Sequence, residues 1–466
     1  MASFAREALT GRNRSVSGIA ALAALAGLLF GFDTGVISGA QLFITGDLHA
    51  STTAQSWFVG ALLLGACVGA AAGGYLADRI SRKYTIITAG VIYVGAALWS
   101  GLADSSGMLI AARAVLGLAV GAASFVGPLY ISEHVPPKLR GGTVSFNQLM
   151  ITSGIMLAYI VDFLFKGVSD NWRWMLALGA LPGMALTIGM LFVPHTPRWL
   201  IEANRDDEAR DVLKRTRGDK KAVDKEIDEV SDVLDSEERA GFRTLLSPSV
   251  RPMFIVGIGL AFFQQVVGVN TVVYYAPTIL KYTGLSANQS ITEALSVGIT
   301  NVVFTIVAIG LLDRVGRRKL LISGTVGLTV ALAVLGGFFA SSSLKADAPW
   351  IAVVALVVFI GSFAIGLGPV FWLMISEIFP LKARSQAMAV CTIINWAANF
   401  LISYFFLSLV NAIGRPGTFW MYAGFGVLAT AFFALRVPET KGQSLESIER
   451  DLGASPQRSG HRVATT

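Results

Sequence analysis

Apolar residues in this chain gather in long uninterrupted runs, not in the alternating or 3.6-residue stripes of a soluble fold. Twelve such runs can be read, at 17–41, 55–77, 84–104, 107–131, 143–165, 174–193, 253–280, 292–312, 319–341, 350–376, 386–410 and 417–436. A bilayer-spanning helix needs about 20 apolar residues. Most connections between the runs are short and polar. The exception is 198–251, centred on "DDEARDVLKRTRGDKKAVDKEIDEVSDVLDSEER". Its acid–base spacing at i,i+4 predicts short amphipathic helices lying on a membrane face. The pattern predicts an all-α polytopic membrane protein of twelve transmembrane helices.

Composition agrees. The chain is 54% hydrophobic and 14% charged, against about 25% charged in soluble domains, and its mean hydropathy is +0.63. Arg6, Arg12, Arg14, Arg79, Arg82, Lys83, Lys138, Arg140, Arg314, Arg317, Arg318, Lys319, Lys382 and Arg384 fall on one side of the predicted spans. The other side holds little beyond Lys166, Arg173, Lys281, Lys345 and Arg415. The positive-inside rule places both termini in the cytoplasm of a cell with this protein in its plasma (inner) membrane. The net charge of +7 is then a topology signal, and no nucleic-acid partner is expected. The first run is too long for a signal-peptide core and is expected to stay in the mature chain. Cys67 and Cys391 lie inside predicted spans and the histidines are scattered, so neither a metal site nor any cofactor is expected.

The halves repeat. "DRISRK" (78–83) recurs as "DRVGRR" (313–318), "EHVPPKLR" (133–140) as "EIFPLKAR" (377–384), and "PHTPR" (194–198) more weakly as "PETKG" (438–442). This indicates duplication of a six-helix unit, the architecture in which two repeats rock about a midplane site. The expected divisions are a cytoplasmic N-terminus (1–16), a six-helix bundle (17–193), an intracellular linker with amphipathic helices (194–251), a second six-helix bundle (252–437) and a cytoplasmic tail (438–466). Asp78, Arg82, Glu133 and Arg140, with Asp313, Arg317, Glu377 and Arg384, form acid–base sets at helix ends on one membrane side. Such sets can latch that side shut and release it, since a switch needs a bistable contact.

In order along residues 17–447, the chain carries "GGYLADRISRK", "RAVLGLAVG", "PLYISEHVPPKLRGG", "PHTPRWL", "QQVVGVNTVVYYAP", "DRVGRRK", "GPVFWLMISEIFPLKAR" and "PETKGQSLESI". Together these resemble the sugar porter family of the major facilitator superfamily. Two positions depart from its pattern. The family's "PESPR" reads Pro194-His195-Thr196-Pro197-Arg198, which loses a glutamate, so that one latch contact is either missing or made pH-sensitive through His195. The loop glycine of "DRxGR" is Ser81 in the first half, while Gly316 keeps it in the second.

A sugar site needs amides, which donate and accept, and aromatic faces. Span seven supplies Gln264, Gln265 and Asn270, span five Gln148, span eight Asn301, span ten Trp372, and span eleven Asn395, Trp396 and Asn399. The resemblance implies that Gln148, Gln264, Gln265, Asn270, Asn301, Trp372 and Asn395 contact the sugar. It implies that Phe30, Ile151, Ile155, Phe363 and Trp396 line the cavity, and that Tyr274 helps close the outer gate. Gly366, Gly368 and Pro369 predict a bend in span ten.

Asp33 lies inside the first apolar run and Arg113 inside the fourth. Each costs about 2.5–3.5 kcal/mol at a helix centre, so they are expected to pair; the resemblance brings the same positions together. "GFDTGV" (31–36) parallels "GVNTVV" (268–273), which sets Asn270 where Asp33 stands, and the repeat sets a valine, Val354 or Val357, where Arg113 stands. The fold therefore does not require this ion pair, and intramembrane acids mark proton pathways. Asp33 is expected to take a proton from outside, freeing Arg113, and to lose it inward when Arg113 re-pairs. Uniporters resembling this chain carry a neutral amide at the acid's position.

The expected function is proton-coupled hexose symport by a monomer in the bilayer, with D-glucose as the leading sugar. The alternatives are a facilitative uniporter, a symporter for xylose, galactose, arabinose or inositol, a sugar sensor or a drug antiporter. No nucleophile–base set or phosphate loop suggests an enzyme.

Overall fold

The computed structural model describes residues 11–135, 140–217, 223–224, 227–228, 230, 242–248, 250–443 and 447. The first half comprises α1 (Gly11–Asp47), α2 (Thr52–Ile80), α3 (Arg82–Gly101), α4 (Ser106–His134), α5 (Arg140–Phe165), α6 (Asn171–Ala177) and α7 (Ala180–Leu191). Two short linker helices follow, α8 (Pro197–Glu202) and α9 (Asp206–Arg217). The second half comprises α10 (Arg251–Val266), α11 (Val269–Lys281), α12 (Ala287–Val315), α13 (Arg317–Ala340), α14 (Ser342–Asp347), α15 (Trp350–Ile365), α16 (Leu367–Glu377) and α17 (Leu381–Arg436).

Among the described residues, eleven helical segments are long and apolar enough to cross a membrane. The twelfth crossing is inside α17. Its 56 residues would extend about 84 Å if straight, far beyond an apolar core of about 30 Å. The chain reverses at Gly414, where φ is 73° and ψ 167°. The connection here is too short to register as a break in a hydrogen-bonded helix pattern, so spans eleven and twelve run together.

Helix breaks also divide single spans. Span seven is α10 and α11, joined at left-handed Gly268 (φ 83°). Span ten is α15 and α16, joined at Gly366 (φ −101°, ψ −92°). Both breaks free backbone groups inside the bundle, where irregular backbone is tolerated only against protein or a cavity.

Small residues set the helix spacing within the first half. Gly31, Gly35 and Gly39 press α1 onto α5; a Cβ on Gly31 would sit 1.9 Å from the Ile151 carbonyl oxygen. Gly65 and Gly69 on α2 press in the same way on the α4 backbone at Ala114 and Leu118, and Gly117 and Gly121 on α4 on the α2 backbone at Leu62 and Ala66. Lipid offers no hydrophobic drive between helices, so close packing of this kind supplies the contact energy. The two halves repeat their packing: α1 against α5 matches α10 against α17, and α2 against α4 matches α12 against α15. The halves meet where α1 touches α11, α2 touches α17 and α5 touches α12. Large apolar side chains such as Val91, Leu98, Leu181, Ile188, Val303, Val330, Val358 and Leu428 face outward, the inverse of a water-soluble surface.

Candidate functional site

The broken span seven and span eleven bring four amides into one hydrogen-bonded set. Gln264 and Gln265 are consecutive, yet both reach Asn395 on α17. Gln265 Nε2 donates to Asn395 Oδ1 at 3.1 Å, and Asn395 Nδ2 donates to Gln264 Oε1 at 2.7 Å. Gln265 Nε2 also lies 3.2 Å from Gln264 Oε1. Asn270, just past the Gly268 break, donates to Gln265 Oε1 at 2.9 Å. The break in span ten takes part: Gln264 Nε2 donates to the Leu367 carbonyl at 3.1 Å.

Other sequence-predicted positions lie on α1, α5, α12, α15, α16 and α17. Phe30 and Trp396 meet edge to face with ring centroids 5.1 Å apart. Gln148 and Phe363 both approach Gly368; a Cβ there would lie 3.4 Å from Gln148 Nε2 and 3.2 Å from Phe363 Cε1. Ile151 and Ile155 face α1 along Gly31 and Gly35. Trp372 packs on Phe371 at 4.8 Å. Asn301 on α12 stands apart from the amide set, buried with Oδ1 lacking a partner.

The acid and the arginine are together. Asp33 and Arg113 are 2% and 0% exposed, and Arg113 Nη1 pairs with Asp33 Oδ1. Arg113 Nε donates to the Phe58 carbonyl at 2.9 Å. Asp33 Oδ2 and Arg113 Nη2 are buried without partners, so the pair is bound through one contact and not through a two-point fork. Thr34, the next residue, lies 3.5 Å from the Tyr274 hydroxyl on α11. One peptide bond therefore connects the ion pair to a contact between the halves. Nothing along the chain signals this contact beyond the position of Thr34 in an apolar run.

On the basic-loop side, Arg82 is a hub. It reaches Asp78 at 3.3 Å, Glu133 at 3.2 Å and Glu202 at 2.9 Å. Glu202 is a partner that sequence reading missed; it sits in an acid-rich linker where no pattern distinguishes one carboxylate from the next. In the second half Arg317 pairs with Glu377 at 3.2 Å, and Glu377 also accepts from Thr440 Oγ1 at 2.5 Å. Arg384 donates to the Phe379 carbonyl at 3.0–3.1 Å. The side chains of Arg140 and Asp313 lie outside the described residues.

The two departures from the family pattern touch each other. His195 Nδ1 lies 3.0 Å from Ser81 Oγ. Ser81 (φ 99°, ψ 152°) and Gly316 (φ 99°, ψ 155°) share one backbone conformation, which disfavours any residue with a Cβ. In the second half the Glu439 carboxylate fills the space beside Gly316: it accepts from Arg317 N at 2.9 Å and Arg318 N at 3.2 Å. A Cβ on Gly316 would lie 2.5 Å from that carboxylate. In the first half, histidine replaces the glutamate, serine replaces the glycine, and Ser81 Oγ itself accepts from Tyr84 N at 3.3 Å. The helix-capping task has passed from the glutamate to the serine.

This exchange predicts a coupled pair. His195→Glu alone places a carboxylate against the Ser81 Cβ and should lower the melting temperature in detergent. Adding Ser81→Gly should restore it, with a coupling of about 1–2 kcal/mol between contacting residues. Burial first, then the nearby Lys83 and Arg205 cations, hold the His195 imidazole below the usual histidine range, with Glu208 opposing. A lowered histidine favours the fold in its neutral form, and that contribution fades as pH falls through its ordinary value, about 6.5, toward the lowered one. The melting temperature of the wild type should therefore drop more between pH 7.5 and 5.5 than that of the double variant. Equal slopes would refute the assignment.

Comparison with known proteins follows the same lines. The model of the sugar (and other) transporter family matches residues 19–452. The glucose transporter GlcP of Staphylococcus epidermidis is 38% identical over 442 residues, 95% of this chain and 98% of that protein. The galactose-proton symporter of Escherichia coli is 39% identical over 432 residues, 92% of this chain and 93% of that one. The structure of the proton:xylose symporter XylE of E. coli, bound to 6-bromo-6-deoxy-D-glucose, superposes with a TM-score of 0.81 at 30% identity, covering 95% of this chain and all of that one.

Proposed function

The chain belongs to the sugar transporter family, as a multi-pass membrane transporter of the major facilitator fold and not an enzyme, and on that premise we propose that it imports a monosaccharide with a proton. D-glucose is the leading substrate. The protein works in the plasma membrane, with both termini in the cytoplasm. Relatives named for glucose transport and for galactose–proton symport support sugar and proton as joint cargo.

The observation that carries this reading is the buried Asp33–Arg113 pair, one residue from the Thr34–Tyr274 contact between the halves. Facing outward, Asp33 takes a proton through water, and Arg113 loses its counter-charge. Sugar hydroxyls replace the amide–amide hydrogen bonds among Gln264, Gln265, Asn270 and Asn395, with Gln148, Asn301 and Trp372 completing the ring of contacts. Phe30, Ile151, Ile155, Phe363 and Trp396 cover the apolar faces of the sugar. The amides lose no hydrogen bonds in this exchange, so binding avoids the penalty of stranding a buried polar group. Tyr274 then closes the outer side. Opening of the other side separates the Arg82 and Arg317 contact sets, and the renewed Asp33–Arg113 pair expels the proton inward.

The energetics suffice. One proton crossing about 150 mV releases roughly 3.5 kcal/mol, and one pH unit adds about 1.4 kcal/mol. Together these sustain accumulation of roughly several thousand-fold at one proton per sugar. The test is uptake of labelled D-glucose, D-xylose, D-galactose, L-arabinose and myo-inositol by purified protein in liposomes with an imposed pH gradient. Uptake above equilibrium that collapses with a protonophore is expected, fastest for D-glucose. Uptake that only equilibrates, indifferent to the protonophore, identifies a facilitative uniporter.

A further inference from the structure

A second acid lies in the α1–α5 contact, and the ion pair makes no use of it. Asp162 on α5 is 1% exposed, and both its carboxyl oxygens are buried without a hydrogen-bond partner. The carboxyl presses on the backbone of Gly39; a Cβ there would lie 2.2 Å from Oδ2, so only glycine admits it. Gly39 is six residues beyond Asp33 on α1, a helix rise of about 9 Å.

No cation reaches Asp162 among the described residues. From α1, Ser38 donates to the Gly35 carbonyl at 2.8 Å, and Gln41 is buried with Oε1 unpartnered. Asp33 is held by Arg113 of α4, and Asp47 accepts from Trp172 Nε1 of α6 at 2.8 Å. On α5 itself, the Tyr159 hydroxyl donates to the Val273 carbonyl of α11 at 2.9 Å. Lys166, one turn past Asp162, reaches away to Thr292 Oγ1 and the Asn288 carbonyl of α12. Arg173 of α6 pairs with Asp104. Glu293 of α12 is exposed, Tyr274 and Tyr275 of α11 are uncharged phenols, and Glu377 of α16 pairs with Arg317.

The repeat shows that the fold does not need this acid. The register that matches "EHVPPKLR" to "EIFPLKAR" sets Phe406, fully buried, where Asp162 stands. An ionised carboxylate cannot be kept unpaired in such a place. A protonated one can, and Ser38, Tyr159 and Gln41 form a polar seam beside it at the junction where α1, α5 and α11 meet. That junction joins the two halves.

We infer that Asp162 is a second proton-binding group of the transport cycle, protonated while α1, α5 and α11 are closed on one another and ionised only when the outer side admits water. The proton passes from the carboxyl O–H to water on opening, and must return before the seam can close again. This inference rests on the proton-coupled reading above.

The test uses purified full-length protein in liposomes at equal pH on both sides, with equilibrium exchange of whichever labelled sugar of the panel moves fastest. The Asp33→Asn protein should still exchange sugar, but its rate should fall on the alkaline side, by up to about tenfold per pH unit as one group loses its proton. Asp33→Asn/Asp162→Asn and Asp33→Asn/Asp162→Leu should both be flat across the same range. A flat profile for Asp33→Asn alone, or an alkaline fall that survives in both double variants, overturns the inference. So does failure of both Asp162 variants to fold, which would make the carboxyl a structural element. Continued sugar accumulation by Asp33→Asn under a pH gradient would instead sink the coupling role of Asp33, leaving the Asp162 comparison separately readable.

Discussion

Asp33→Asn should reduce sugar accumulation from roughly several thousand-fold to unity under a full proton gradient, while exchange of internal for external sugar continues. The asparagine keeps an oxygen to accept from Arg113 Nη1, so the contact that Asp33 makes in the structure retains a partner. It carries no titrating proton, so nothing links the sugar step to the gradient. The second half already runs the equivalent position with an amide, Asn270, which argues that helix packing tolerates the change. Accumulation and counterflow measured on the same liposomes separate the two effects. Loss of both would point to a packing defect, and retention of both would remove Asp33 from the coupling step.

Arg113→Met should destabilise the fold more than either Asp33→Asn or His195→Glu. Arg113 has no exposure, and its loss leaves the Asp33 carboxylate and the Phe58 carbonyl without their donors. Breaking a buried ion pair from one side costs about 3–5 kcal/mol. Removing both charges should recover part of that, because no buried charge is left without its counterpart, while the introduced amide and the Phe58 carbonyl still lack the donors that Arg113 supplied, at about 1–3 kcal/mol for an unsatisfied buried group. The expected order of melting temperature in detergent is wild type, then Asp33→Asn/Arg113→Met in between, then Arg113→Met lowest. If the double variant melts as low as the sum of the single losses, the two residues are not energetically paired.

Much of the architecture is legible in the sequence because lipid imposes a simple rule: helices crossing it must be long and apolar. What the runs do not reveal is how backbone irregularity divides them. The break at Gly268 interrupts hydrogen bonding without interrupting hydrophobicity, whereas the one at Gly366 falls where Gly366, Gly368 and Pro369 predict a bend. The turn at Gly414 is hidden for the opposite reason, since so few residues separate spans eleven and twelve. The amides of Gln264, Gln265 and Asn395 could be placed on spans, but their convergence depends on how α10 packs against α17, and Asn270 joins them from beyond the Gly268 break.

Asp162 shows a different limit. It interrupts an apolar run just as Asp33 does, yet among the described residues no cation reaches it to draw attention to it. Its meaning emerges only from the packing around Gly39, which shows the carboxyl enclosed and unpartnered. Ser81 and His195 were each readable as departures, 114 positions apart, but a contact at that separation is a property of the fold. Glu202 likewise becomes distinct from its acidic neighbours only when Arg82 reaches it.

Proton movement driven by sugar itself bears most directly on the coupling role of Asp33. In weakly buffered liposomes with a trapped pH dye and no initial gradient, adding sugar outside should acidify the lumen as sugar enters, one proton for each molecule, and Asp33→Asn should carry sugar inward with no acidification. Sugar entry through the wild type without any proton, or an unchanged proton signal in Asp33→Asn, would contradict it.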